Sequence, residues 1–164
     1  MIGINGKTST SAAPREREFV TFRIADQLFG VEVTAIHEVF RPRGVSPVPL
    51  AKPEIAGVLN LRGRIVTTVC ARRRLRLPER EAGAPPPMAV GIDRQGESYG
   101  VLVDAVDEVL KLPDSAFEAT PVNLDPRWAA VSQGVYRLDG KLLIALDVER
   151  LLDLESASAS AAAA

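Results

Sequence analysis

The chain carries an approximate copy of itself, and this repeat restricts the fold more than any other feature of the sequence. Phe29-Gly30-Val31-Glu32-Val33-Thr34-Ala35-Ile36-His37-Glu38-Val39 returns seventy residues later as Tyr99-Gly100-Val101-Leu102-Val103-Asp104-Ala105-Val106-Asp107-Glu108-Val109, with six of eleven positions identical. A second block, Gly57-Val58-Leu59-Asn60-Leu61-Arg62-Gly63-Arg64-Ile65-Val66, is answered in the same order by Gly134-Val135-Tyr136-Arg137-Leu138-Asp139-Gly140-Lys141-Leu142-Leu143. Two modules of like construction follow, with 29–39 expected to superpose on 99–109 and 57–66 on 134–143. They differ in charge where a turn is expected: Arg62-Gly63 in the first copy, Asp139-Gly140 in the second. Asp-Gly is a strong hairpin turn and Arg-Gly a weak one. An arginine at that position is therefore expected to serve a partner.

Strand signals dominate both copies. Glu18 to Ile24 alternates polar with apolar, the period of a half-buried strand, and Ala25-Asp26-Gln27 breaks it before Leu28 to Val33. Met88 to Asp93, the Gly-containing turn Arg94-Gln95-Gly96-Glu97, and Ser98 to Val103 repeat that plan. Short β-favouring runs flank Arg62-Gly63 and Asp139-Gly140. Arg41 to Pro53 holds four prolines and reads as an extended connection. Helix is confined to a capped segment after Asp147, over Val148 to Leu152, and a turn or two over Ala71 to Arg76. The expected class is all-β, a pair of small barrels. Gly83 and three consecutive prolines place the boundary between them. The expected division is a disordered arm over 1–16, barrels over 17–82 and 83–154 with the C-terminal helix in the latter, and a disordered Ser/Ala tail over 155–164.

Modules of this size lie near the lower limit for folding alone, so each is expected to stabilise the other. A net charge of −1 with 25% charged residues argues against a nucleic-acid surface and against direct membrane contact. Cys70 is the only cysteine, which excludes a disulfide framework or a multi-cysteine zinc site and suits a reducing cytosol. The first fifteen residues lack the apolar stretch of a signal peptide, and no run of apolar residues suffices for a membrane-spanning helix. A cytoplasmic location is expected, with any membrane association supplied by partners.

These blocks, with Leu143-Ile144-Ala145-Leu146-Asp147, resemble the CheW family of bacterial chemotaxis coupling proteins from about Arg17 to Leu154. The resemblance implies two five-stranded SH3-like β-barrels, no enzymatic activity and no cofactor. It also implies a scaffold that bridges the cytoplasmic tips of chemoreceptors, the methyl-accepting chemotaxis proteins, to the regulatory domain of a CheA-type histidine kinase. By the family pattern the receptor tip lies in a groove between the barrels, at positions matching Ile36, Glu38, Arg62 and Val101. An apolar anchor beside a carboxylate and a guanidinium is the usual make-up of an interface hot spot. Two departures stand out. Where the family has Val-Asp-Leu-Arg, this chain has Val69-Cys70-Ala71-Arg72, so a helix-capping carboxylate is lost and Arg72-Arg73-Arg74 is expected to lack a local counter-ion. Where the family often has a Glu-Phe pair, Val122-Asn123 stands, a candidate kinase or ring contact. Such changes leave open a related module serving gliding, pilus or biofilm signalling with an altered kinase face.

Other candidate chemistries are weak. His37 and Cys70 invite a base and nucleophile, but no hydrolase or zinc motif accompanies them. Gly6-Lys7-Thr8 imitates the end of a phosphate-binding loop without the earlier glycine or a preceding strand. The arginine run lacks the interleaved aromatics of a nucleic-acid site. Trp128 is expected to anchor its loop to the second barrel. Glu38 is placed to pair with Arg62 across the groove, against the alternative of a solvated strand charge.

Overall fold

The computed structural model describes residues 15–154; Gly6-Lys7-Thr8, the Ser/Ala tail and all but the last two residues of the expected arm lie outside them. Four hairpins carry most of the chain: β1 (Glu16–Ile24) with β2 (Gln27–Glu32), β4 (Ile55–Leu61) with β5 (Arg64–Cys70), β6 (Met88–Arg94) with β7 (Glu97–Val103), and β10 (Ser132–Leu138) with β11 (Lys141–Leu146). Between them lie β3 (Glu38–Phe40), β8 (Ala105–Pro113) and β9 (Phe117–Glu118). The helices are single turns: α1 (Ala71–Arg74), α2 (Pro126–Ala129) and α3 (Val148–Leu152). Asp147 caps α3 as expected, its Oδ1 accepting from the Arg150 N–H at 3.1 Å.

The strands form two mixed sheets, ordered β8-β1-β2-β11-β10-β9 and β3-β6-β7-β5-β4. Each curls back on itself. In the larger sheet the end strands β8 and β9 are consecutive in the chain, bent apart by the 3-10 turn Asp114–Ala116. In the smaller, the connection after β3 reaches β4 through the bridge Ser46↔Val58. With β8 and β9 taken as one bent strand, each ring has five members, as the resemblance implies.

The rings do not follow the expected boundary at 82/83. β1 and β2 of the first copy join β8 to β11 of the second, while β6 and β7 of the second join β3, β4 and β5 of the first. Two parallel pairings make the exchange: Leu143↔Leu28 through Ala145↔Gly30 in one sheet, Val66↔Ser98 through Thr68↔Gly100 in the other. The repeat offset carries the first register onto the second. Local patterns specify hairpins well, but two like opening hairpins present equivalent edges, and each is taken by the other copy's closing hairpin.

One large core spans both rings, joining Phe22, Phe29 and Ile144 of one sheet to Val69, Val90 and Val101 of the other. A register shift between Val20 and Phe22 lets β1 serve two interiors. Phe19 meets Tyr136 edge-on at 5.4 Å in a second cluster, while Phe22 and Ile24 face the large core. The modules thus share buried surface that neither encloses alone. Trp128 packs edge-on against Phe29, centroids 5.4 Å apart, which fixes its loop to the larger sheet.

Gly57 and Gly134 occupy equivalent register shifts, at φ 153° and 157°. A Cβ there would lie 2.3 Å from the Ser46 carbonyl oxygen or from the Phe117 ring. Gly57→Ala and Gly134→Ala are each expected to destabilise the fold by roughly 2–4 kcal/mol, combining backbone strain with a contact that β strands cannot relax. Urea denaturation checks this; a loss below about 0.5 kcal/mol for either would contradict it.

Candidate functional site

The tip of the β4–β5 hairpin brings the sequence-selected charges together. Arg62 and Gly63 have φ of 51° and 83°, the signs of a type I′ turn, and the Gly63 N–H donates to Asn60 Oδ1 at 2.8 Å. Arginine gains nothing from this left-handed backbone. Its side chain lies back across the sheet, donating from Nη1 and Nη2 to Glu38 Oε2 and Oε1 at 2.8 and 2.7 Å. The fork matches the carboxylate bidentately. Those hydrogen bonds, aided by the charge of Arg62, hold the Glu38 carboxyl below its usual pKa. Arg62 itself stays 71% exposed while Glu38 is 19% exposed, so the guanidinium remains open on its outer side.

His37 precedes Glu38, its N–H donating to the Gly91 carbonyl at 2.7 Å. Its ring lies 3.6 Å from Asp93 Oδ2 and 3.4 Å from an Arg64 nitrogen. Arg64 also reaches Asp93 at 3.3 Å and donates to Ser98 Oγ. This cluster surrounds a small cavity of about 120 Å³ floored by Phe40, Leu61 and Val66. On its other side His37 borders a groove of about 420 Å³ running between the sheets. Ile36 lines that groove beside Ile92 and Val148, rimmed by Glu32, Asp93, Asp147 and Glu149. Glu38 and Arg62 thus border the small cavity and Ile36 the adjoining groove, with His37, Ile92 and Asp93 lining both.

Val101 does not belong to it. It is 1% exposed in β7, paired with Val69 and Val90 and enclosed by the core. Its side chain packs in the core shared by the two sheets and does not line the groove. Val122 and Asn123 stand exposed on the loop between β9 and α2, away from the Arg62 cluster in the strand order. Arg64, Asp93 and Ser98 escaped the sequence reading because the latter two come from the other copy. Aligning the repeat onto an exchanged topology would have been needed to find them.

The arginine run is not left without counter-ions. Arg72 forks onto Asp104 at 2.7 and 3.0 Å, and Arg73 pairs with Glu79 at 3.2 Å. Arg74 donates to the carbonyls of Leu151 and Arg150 at the end of α3. The missing cap is real: Cys70 holds the cap position of α1 with extended φ and ψ of −79° and 113°, without a side-chain hydrogen bond. It is half-buried rather than enclosed. Because Asp147 caps α3 from a similar backbone, −88° and 103°, Cys70→Asp is expected to raise stability by about 1 kcal/mol. A lowered denaturation midpoint would contradict it.

No group of His, Cys, Asp and Glu side chains suited to a metal ion occurs among the described residues, and none of their helices is long and apolar enough to cross a membrane. The family model for the CheW-like domain matches residues 18–156. The chemotaxis protein CheW of Rhizobium meliloti is 30% identical over 146 residues, spanning 88% of this chain and 92% of that protein. The chemotaxis protein CheW of Thermotoga maritima is 30% identical over 141 residues, spanning 86% and 91%. The crystal structure of the scaffolding protein TtCheW from Thermoanaerobacter tengcongensis superposes with a TM-score of 0.75 at 26% identity, covering 87% of this chain and 91% of that one.

Proposed function

The chain belongs to the CheW family of non-enzymatic chemotaxis scaffolds, which couple receptors to a histidine kinase, and on that premise we propose that the face formed by Ile36, Glu38 and Arg62 docks the chemoreceptor tip. The observation that carries this reading is the state of Arg62. A left-handed arginine at a turn tip, bonded through one side to Glu38 and open on the other, has one donor set satisfied and another directed outward. A helical tip laid in the inter-sheet groove covers Ile36 with an apolar side chain and meets the outer edge of Arg62 with a carboxylate.

The kinase regulatory domain takes a different surface in this reading. The loop carrying Val122 and Asn123 is its candidate, since a fully exposed valine is an apolar contact without an intramolecular partner. Two weak contacts on separate faces let one scaffold hold both proteins, each raising the effective concentration of the other. The signal then passes as a shift in which packing the scaffold favours.

Isothermal titration of a receptor-tip fragment and of the kinase regulatory domain tests this assignment. Ile36→Asp is expected to weaken the receptor fragment by on the order of 100-fold and leave the kinase domain within about twofold. Equal losses for both, or no loss for either, would contradict it.

A further inference from the structure

The internal repeat places a second concavity opposite the one filled by Arg62. The small cavity in the first ring is lined by His37, Glu38, Phe40, Leu61, Arg64 and Asp93, among others. Shifted by the repeat, these positions become Asp107, Glu108, Leu110, Leu138, Lys141 and Arg23, which line a concavity of about 390 Å³ on the larger sheet. The correspondence is one of register: β3 pairs with β6 in one ring as β8 pairs with β1 in the other, and the β4–β5 hairpin matches the β10–β11 hairpin.

What differs is the occupant. In the first ring the Arg62 guanidinium lies on Glu38 and leaves only about 120 Å³ open. In the second ring the carboxylate is retained as Glu108, but Asp139 stands at the turn where Arg62 would be. Among the described residues the Glu108 side chain makes no ion pair or hydrogen bond; only its backbone oxygen is used, accepting from Thr21 Oγ1 at 2.6 Å. The neighbouring Asp107 is already forked by Arg23 at 2.9 and 3.1 Å. Of the charged groups that line the concavity, Arg23 is thus committed to Asp107, while Glu108 has no guanidinium upon it. Leu28, Leu110 and Leu138 supply the apolar lining of the concavity.

We infer that this concavity is a docking site for an arginine presented by a partner polypeptide, whose guanidinium takes on Glu108 the place that Arg62 takes on Glu38. The chain itself displays the bound form, at the equivalent position of its other ring. The equivalent position sets the occupant: Glu108 presents an unforked carboxylate where Glu38 accepts two bonds from a guanidinium, and the three leucines accept the aliphatic stem and an adjoining apolar side chain. Lysine fits less well because it lacks the planar fork.

The probe is a capped leucyl-arginyl-leucine tripeptide, titrated into the full 15N-labelled chain and followed by amide chemical shifts, with lysyl and citrullyl counterparts as controls. Saturable shifts are expected at Glu108, Leu110, Leu138 and Asp139. Affinity should fall at least about tenfold for the citrullyl peptide, and by a similar factor in Glu108→Gln. Asp139→Arg is expected to abolish binding by closing the concavity from within, with an otherwise unchanged spectrum showing that the fold persists. Shifts that do not saturate, that are equal for the citrullyl peptide, that survive Asp139→Arg, or that fall only on the Ile36 groove would overturn the assignment.

Discussion

Arg62→Asp is expected to weaken binding of a receptor-tip fragment by on the order of 100-fold while moving the melting temperature by no more than about 3 °C. The loss has two parts. The outward donors of the guanidinium disappear, and a second carboxylate is set beside Glu38, which presents repulsion to an acidic partner. The fold is spared because the turn at φ 51° suits aspartate better than arginine, offsetting the lost surface ion pair. Arg62→Lys keeps the charge but not the fork, and is expected to lose on the order of tenfold. A large fall in melting temperature for Arg62→Asp would instead make Arg62 a structural residue and dissolve the argument from the broken repeat.

Asp104 carries an expected effect on stability as large as those at Gly57 and Gly134. It lies where the chain crosses from β7 in the smaller sheet to β8 in the larger. There it accepts the Arg72 fork and the Ala25 N–H at 2.8 Å, with Arg80 3.8 Å away. Three segments converge on one carboxylate: the β1–β2 turn, α1, and the connection leading to the proline run. Asp104→Ala is expected to cost about 2–4 kcal/mol, because it leaves the Arg72 guanidinium half-enclosed without its partner and frees the Ala25 N–H. The pH dependence follows. Partial burial pushes the Asp104 carboxyl up, but the bonds from Arg72 and Ala25 bring it below its usual 3.8. A depressed carboxyl binds its proton more readily in the unfolded chain, so its contribution is complete above the unfolded value and is lost as pH falls through the lower folded one. The stability gap between the wild type and Asp104→Asn should therefore narrow in acid, below about pH 4. A gap constant from neutral pH to acid would show that the ion pair is not its source.

Much of this was legible in the residues. The repeat foretold hairpins of matching register, because turn glycines and period-two patterns are local properties. The Arg62/Asp139 contrast and the Glu38 pairing were legible for the same reason: one residue sits in a turn, and the other in a block that recurs. The exchange of hairpins between rings was not legible, since two similar edges offer similar hydrogen-bonding partners and nothing local distinguishes them. Val101 was misplaced by the same ignorance. It lies in the apolar run Gly100 to Val103, and only the core packed between the two sheets reveals that its side chain is enclosed. The counter-ion of Arg72 was missed because Asp104 lies at a crossing that exists only once the rings are assembled.

The most direct measurement follows the amides of the 15N-labelled chain during separate titrations with a receptor-tip fragment and with the kinase regulatory domain. The receptor fragment is expected to shift Ile36, Glu38 and Arg62 and leave Val122 and Asn123 in place, and the kinase domain to do the reverse. Receptor-induced shifts gathered on Val122 and Asn123, with Ile36, Glu38 and Arg62 unmoved, would contradict the assignment of the inter-sheet groove as the receptor site.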